Sequence, residues 1–169
     1  MIPTERIQRL LDPAYVGGLA EASDDGLRTK KAECAEAENA VSFLRRLAQA
    51  RLEILEAERE RRASGGTVED LVRDLPRILS GEAGRSGALN TRVSPTEAPA
   101  LELHWPDGRE SLVDDGTLAN LPVISDADLE RTLTRLGEFE RELSTMRRGL
   151  HGVIDALEQE LVARQVAGA

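Results

Sequence analysis

The sequence contains few aromatic residues, a single cysteine and no long apolar segment. One Trp, one Tyr and two Phe in 169 residues are too few for a large sandwich, barrel or aromatic-packed α/β core. Cys34 has no partner for an internal disulfide and no companion ligands for zinc, so we expect a small buried side chain there and no metal site. No segment approaches the roughly 20 apolar residues of a membrane span, and the first residues lack a signal-peptide core. We therefore expect a cytoplasmic protein without a membrane partner.

Positive charge is also scarce, and almost none of it comes from lysine. The chain has 22 Lys and Arg against 31 Asp and Glu, for a formal net charge of −9, and its only lysines are Lys30 and Lys31. This balance argues against direct DNA binding, which depends on neutralising phosphates, and favours a basic partner. The arginines nevertheless suit planar, two-point recognition of phosphates or bases. Because the sequence has neither a phosphate-binding glycine motif nor a defensible catalytic triad, we predict that the protein is not an enzyme.

Alanine, leucine, glutamate and arginine are abundant instead, and they favour long helices. Two long stretches lack proline, and each follows a serine, Ser23 or Ser125, that is suited to cap a helix. The residues that precede the second stretch are rich in glycine and proline. The predicted segments are an N-terminal accessory segment (1–22), a first coiled-coil helix (23–63), a short helix (64–79), a flexible linker (80–124) and a second coiled-coil helix (125–166).

Both long helices carry apolar heptads, and small residues of the first would face large residues of the second. Val41 and Ala48 in the first helix, for example, correspond to Leu143 and Leu150 in the second. The long linker allows the two helices to lie antiparallel within one chain. The predicted fold is therefore all-α, an antiparallel two-helix coiled coil (helical hairpin) with a long linker and short accessory helices. Heptads alone also allow an intermolecular coiled coil, so the oligomeric state stays open.

The two predicted helices share a polar pattern, E-x3-S-x2-R-x3-[Q/H]-x3-[E/D], which occurs once in each. Every residue of the second copy follows its counterpart by 102 positions. The residues are Glu38, Ser42, Arg45, Gln49 and Glu53 in the first copy and Glu140, Ser144, Arg147, His151 and Asp155 in the second. Because a helix turns about 100° per residue, each copy falls within an arc of about 80° and forms one polar stripe.

An antiparallel hairpin would bring the two stripes onto one surface with approximate twofold symmetry, since each stripe lies at the same angle from its heptad seam. Arginine can donate to guanine O6 and N7, and carboxylates can accept from the guanine N1 and N2 hydrogens. Serine, glutamine and histidine can contact phosphate or ribose oxygens. The stripes therefore suit a small, twofold-symmetric guanine dinucleotide. The alternative is a solvated helix face, on which Glu and Arg form weak pairs of about 0.2–0.5 kcal/mol.

The repeated pattern resembles the cyclic di-GMP signature of the RsiG anti-sigma factors of actinobacteria, E-x3-S-x2-R-x3-Q-x3-D on each helix of an antiparallel coiled coil. The resemblance implies that these ten residues bind two molecules of cyclic di-GMP as a regulatory ligand, with contacts contributed by the partner. It also implies that the complex holds the sporulation sigma factor WhiG away from RNA polymerase. Two residues depart from the signature, because Glu53 replaces Asp and His151 replaces Gln. Without a nucleotide ligand, the same helices would form a structural or scaffolding coiled coil.

The first long helix carries a second apolar stripe, formed by Phe43, Leu47, Ala50 and Ile54. A two-helix hairpin by itself would leave this stripe exposed, which favours contact with the sigma factor. The short helix at 67–79 or the N-terminal segment would cover it equally well. Both interpretations stay open from the sequence alone.

Overall fold

A computed structural model describes residues 2–79, 103–113, 115–121 and 123–167 of the chain. Two helices of about 40 residues dominate it. In chain order the strands and α-helices are β1 (Ile2–Pro3), α1 (Thr4–Leu11), α2 (Asp24–Ser64), α3 (Val68–Leu79), β2 (Leu103–His104), α4 (Asp115–Ala119) and α5 (Asp126–Ala167). Short 3₁₀ helices lie at Pro13–Val16, Leu19–Glu21 and Arg109–Val113.

Local sequence sets the ends of the long helices. The Ser23 hydroxyl caps α2 by accepting from the Gly26 amide at 3.1 Å. At the other end, Gly65 has a φ of 71°, and the Gly66 amide donates to the Arg61 carbonyl at 2.9 Å, so the chain leaves the helix through a left-handed residue that favours glycine. The Ser125 hydroxyl caps α5 by accepting from the Asp128 amide at 3.1 Å.

The described residues form two compact units, of which the first contains those of 1–44, 98–108 and 142–169. Within this unit α2 and α5 are antiparallel, because residue numbers fall along α5 as they rise along α2. Ion pairs between the helices include Asp24–Arg164, Lys31–Glu158 and Glu38–Arg147. Apolar heptad residues are buried between the helices, namely Cys34, Ala37, Val41, Leu143, Leu150 and Leu157. Small side chains of α2 therefore meet leucines of α5, as the heptads predict.

The second unit contains the described residues of 45–97 and 109–141. Here too α2 and α5 are antiparallel, with the cross-helix contacts Gln49–Glu140, Arg59–Glu130 and Arg62–Asp126. Its buried apolar side chains include Ala48, Leu55, Leu129, Leu136 and Phe139. The prediction of an all-α fold with an antiparallel two-helix coiled coil is thus confirmed within each unit, and the long helices pair inside one chain.

The N-terminal segment belongs to the first unit and packs against the long helices there. Ile7 and Leu10 of α1 are fully buried, and Arg6 pairs with Glu33 and Glu36 of α2. Leu11 lies so close to α5 that a Cβ at Gly149 would be 2.6 Å from Leu11 Cδ2. Glycine at position 149 therefore permits this contact.

Part of the segment predicted as a flexible linker carries secondary structure. Strand β2 pairs in parallel with β1, with Ile2 opposite Leu103, and Trp105 is buried and donates to Glu142 at 3.2 Å. The sequence offered no partner for this short strand, because β1 lies about 100 residues earlier in the chain. Residues 80–102, 114 and 122 of the predicted linker lie outside the described residues.

Two further expectations concern apolar residues, one about the second apolar stripe of α2 and one about membrane-spanning helices. All four residues of the second apolar stripe of α2 are half-buried, so the exposed face expected of a two-helix hairpin by itself is not observed. Among helices of the described residues, none combines the length and the apolar character that crossing a membrane requires.

Candidate functional site

The ten residues of the repeated pattern lie on α2 and α5, five on each helix. Each long helix is continuous through its copy, so the spacing of the pattern keeps the five side chains on one face of their helix. Exposure differs along the stripes, since Ser42 is buried whereas His151 and Asp155 are exposed. The other seven residues are half-buried.

In the first unit, four of these residues form what we call the Glu38 cluster: Glu38, Ser42, Arg147 and His151. The Ser42 hydroxyl donates to Glu38 Oε1 at 2.6 Å, and Arg147 Nε donates to the same oxygen at 3.2 Å and to Ser42 Oγ at 3.0 Å. His151 Nε2 lies 3.0 Å from Glu38 Oε1. One carboxylate oxygen thus gathers a hydroxyl, a guanidinium and an imidazole.

The environment of Glu38 favours its ionised form. Burial raises the pKa of the carboxyl, but hydrogen bonds from Ser42 and His151 and the charges of His151 and Arg147 outweigh burial. The pKa of Glu38 therefore lies below its ordinary value. At neutral pH the cluster contains a carboxylate that accepts hydrogen bonds.

In the second unit, three residues form what we call the Glu140 cluster: Arg45, Gln49 and Glu140. The Gln49 amide donates to Glu140 Oε1 at 2.9 Å, and Arg45 Nη1 lies 3.7 Å from the same oxygen. The side chains of Arg45 and Glu140 are both about four-fifths buried, at 23% and 18% exposure. Water therefore screens this ion pair less than it screens a pair on the open surface.

The two clusters draw their residues from the two copies of the repeat in the same way. In each, the carboxylate comes from one copy of the pattern, and the arginine and the amide or imidazole come from the other copy. Arg147 and His151 are the counterparts of Arg45 and Gln49 in the repeat. Neither copy alone supplies a cluster, because each cluster requires both helices.

The three remaining residues of the pattern are Ser144, Glu53 and Asp155. Ser144 is half-buried, and its carbonyl accepts from Arg148 Nε at 3.3 Å. Glu53 is half-buried and Asp155 is exposed, and neither carboxylate has a hydrogen bond or ion pair with another residue that the structure describes. Both carboxylates can therefore contact a ligand without breaking such a bond.

One feature of the repeat is not part of the five-residue pattern. A second arginine follows each arginine of the pattern, Arg46 after Arg45 and Arg148 after Arg147. Extending the comparison of the two copies to every position, and not only to the stripe, would have found this pair. Both side chains are exposed.

Within the described ranges, no group of three or more His, Cys, Asp or Glu residues could hold a metal ion. What the clusters offer is hydrogen bonding, with anionic acceptors beside planar cationic donors. This combination complements a ligand that has both donors and acceptors along one edge.

The model of the protein family described as RsiG-like matches residues 13–79 and 115–169 of the chain. The match covers most of the chain, including both long helices and all ten residues of the repeated pattern. No curated protein and no solved structure matches the chain.

Proposed function

Since this chain belongs to the RsiG-like family, a family of anti-sigma factors, we propose that it binds cyclic di-GMP and in that complex sequesters a WhiG-type sigma factor from RNA polymerase. The expected consequence is repression of the genes that the sigma factor transcribes, including those of sporulation. Cyclic di-GMP is the regulatory ligand in this proposal, so no reaction is catalysed. The ligand-binding residues are the ten residues of the repeated pattern.

The observation that carries the proposal is the pairing of Glu38 with Arg147 and of Glu140 with Arg45 between the helices. Guanine has donors at N1 and N2 on one edge and acceptors at O6 and N7 on another. A carboxylate and an arginine held close together complement these two edges. Each cluster thus contains the groups needed to recognise one guanine base.

The existing contacts also indicate how a ligand would enter. Arg147 donates a hydrogen bond to Glu38, and Arg45 Nη1 lies 3.7 Å from Glu140, beyond hydrogen-bond distance. A guanine that binds between the carboxylate and the arginine would replace these contacts with hydrogen bonds to its own donors and acceptors. Ser42, Gln49 and His151 would exchange their contacts with the carboxylates for contacts with ribose and phosphate oxygens.

Each cluster by itself fits one guanine, and cyclic di-GMP has two guanines related by its own twofold symmetry. Two molecules of the ligand are proposed, as the resemblance to the cyclic di-GMP signature implies. Glu53, Ser144 and Asp155 of the stripes would contact the remaining bases, ribose groups or phosphates.

The test is fluorescence anisotropy of labelled cyclic di-GMP, titrated with this chain alone and together with a WhiG-type sigma factor. Unlabelled cyclic di-AMP and GTP serve as competitors. We expect guanine-specific binding that the sigma factor strengthens. Analysis of the nucleotide after incubation should recover it unhydrolysed.

The matched variants replace two arginines each. Arg45→Ala with Arg147→Ala removes both cluster arginines, whereas Arg59→Ala with Arg141→Ala removes two exposed arginines that lie outside the stripes. The first variant should lose nucleotide-dependent complex formation while keeping its helicity by circular dichroism, and the second should behave like the unsubstituted chain. Equal behaviour of the two variants would instead favour a scaffolding coiled coil with solvated stripes.

A further inference from the structure

We propose that Arg46 and Arg148 are additional ligand-binding residues that contact the phosphate groups of the cyclic dinucleotide. This inference rests on the proposed function, because it assigns further residues to the same ligand. It assigns one extra arginine to each cluster, Arg148 to the Glu38 cluster and Arg46 to the Glu140 cluster. The five-residue pattern contains neither of them.

The first argument is the repeat itself. Arg46 and Arg148 are separated by the same 102 positions as the five pairs of the pattern, so the repeated unit is E-x3-S-x2-R-R-x2-[Q/H]-x3-[E/D]. Other exposed positions are partly alike between the copies: Glu36 and Glu56 correspond to Glu138 and Glu158, whereas Asn39 corresponds to Arg141. An arginine repeated at an exposed position is not explained by packing.

The second argument is charge. The ten residues of the pattern contain four carboxylates and two arginines, and both arginines are engaged with carboxylates of the clusters. Each molecule of cyclic di-GMP adds two negatively charged phosphodiester groups. An anionic ligand bound against an acidic stripe requires further positive charge nearby. Arg46 and Arg148 supply it from the adjacent helix position.

The third argument is geometry within each helix. Viewed down the helix axis, Arg46 lies about 20° beyond Glu53, and Arg148 lies about 20° beyond Asp155. Both arginines are on the side of the stripe that is away from the heptad seam. Arg46 and Arg148 are exposed, so their guanidinium groups can reach the outer edge of a ligand that lies on the stripe. The Arg148 side chain lies back along its own helix, where its Nε donates to the Ser144 carbonyl at 3.3 Å and its Nη2 to Thr145 Oγ1 at 3.3 Å.

The chain provides a matched control for Arg148. Arg141 lies seven residues earlier on the same face of α5, is likewise exposed, and donates its Nε to the carbonyl four residues before it, at 3.1 Å. It differs from Arg148 in that its counterpart in the first copy is Asn39 rather than an arginine. Charge, helix propensity and the hydrogen bond to the carbonyl four residues earlier are therefore matched between Arg148→Gln and Arg141→Gln.

The experiment measures the affinity for labelled cyclic di-GMP at several salt concentrations, with and without the WhiG-type sigma factor, for the unsubstituted chain, Arg46→Gln, Arg148→Gln and Arg141→Gln. We expect Arg46→Gln and Arg148→Gln each to weaken binding about twofold to fivefold at low salt, the range for an exposed ion pair. Their affinities should also fall less steeply with salt, because a phosphate contact has been lost. The preference for cyclic di-GMP over cyclic di-AMP should not change, since phosphate contacts carry no base information. Arg141→Gln should match the unsubstituted chain.

Several outcomes would overturn the inference. If Arg46→Gln and Arg148→Gln bind the nucleotide as Arg141→Gln does while the unsubstituted chain binds it well, the inference fails and the proposed function stands. If these two variants weaken only the binding of the sigma factor at saturating nucleotide, the arginines contact the protein partner and not phosphate. If the unsubstituted chain binds no cyclic di-GMP under either condition, the proposed function fails and this inference fails with it.

Discussion

The Glu38 cluster and the Glu140 cluster each contain a carboxylate from one copy of the repeat and an arginine from the other. They differ at one position of the repeat, where the imidazole of His151 takes the place of the amide of Gln49, and the Glu38 cluster also includes the hydroxyl of Ser42. The Gln49 amide donates a hydrogen bond to Glu140, and His151 Nε2 lies 3.0 Å from Glu38 Oε1.

This difference separates the positions that the clusters share from the position at which they differ. In the proposed function, recognition of a guanine base depends on the carboxylate and the arginine, which both clusters share. The further contact to the carboxylate depends on the residue that differs. Substitutions at shared positions should therefore affect the clusters equally, and substitutions at position 151 or 49 should have the smallest effects.

The largest expected effect comes from the arginines. Arg147→Ala and Arg45→Ala should each weaken cyclic di-GMP binding by about 10- to 100-fold, because a two-point contact with guanine contributes about 1–3 kcal/mol. The two losses should agree within about threefold if the clusters are equivalent. Isothermal titration calorimetry with the sigma factor present measures both. An unchanged affinity in either variant would show that its cluster does not bind the ligand.

The carboxylates should affect specificity more than affinity. Glu38→Gln and Glu140→Gln should each reduce the preference for cyclic di-GMP over cyclic di-AMP by about tenfold, because a carboxylate accepts from both N1 and N2 of guanine and the amide accepts less well. Competition between the two nucleotides in an anisotropy assay gives this ratio. A preserved ratio would contradict the assignment of the carboxylates to the base.

Glu38 should also contribute to stability, with a defined dependence on pH. Its pKa is lowered in the folded chain, so the contribution is present above the ordinary glutamate pKa of about 4.3 and is lost as pH falls through the lowered value. Glu38→Gln should therefore be about 1 kcal/mol less stable at pH 7, and the difference should shrink below about pH 4. Denaturant unfolding followed by circular dichroism between pH 3 and pH 7 measures it. A difference that stays constant down to pH 3 would contradict the prediction.

The smallest expected effect concerns His151. His151→Gln should change the affinity for cyclic di-GMP by less than about threefold, because an amide can form a hydrogen bond with Glu38 as Gln49 does with Glu140. The groups around His151 are Glu38 from α2 and Arg147 and Asp155 from its own helix face. Isothermal titration calorimetry with the sigma factor present measures the change, and a loss of about tenfold or more would contradict the prediction.

The reciprocal substitution sharpens the comparison. Gln49→His should likewise change the affinity by less than about threefold, because the imidazole would then lie beside Glu140 as His151 lies beside Glu38. The same calorimetric measurement decides the matter. Unequal losses in His151→Gln and Gln49→His would show that the two positions do not contribute alike.

Much of the fold could be predicted from the sequence. The two long helices follow from proline-free stretches with serine caps, and their antiparallel pairing follows from small and large residues at matching heptad positions. The short parallel pairing of β1 with β2 could not be predicted, because a two-residue strand has no pattern and its partner is distant in the chain. For the same reason, nothing in the sequence indicated that Trp105 would be buried with its indole bonded to Glu142.

The sequence by itself determined which side chains share a helix face, because helical periodicity fixes the angle between residues a few positions apart. It therefore placed the ten residues of the repeat in two stripes, and it determined that the stripes carry equivalent chemistry. The tertiary structure decided which residues meet: Glu38 contacts Arg147 and His151, and Glu140 contacts Arg45 and Gln49. These contacts join residues about 90 to 110 positions apart, and only the packing of α2 against α5 sets the register that brings them together.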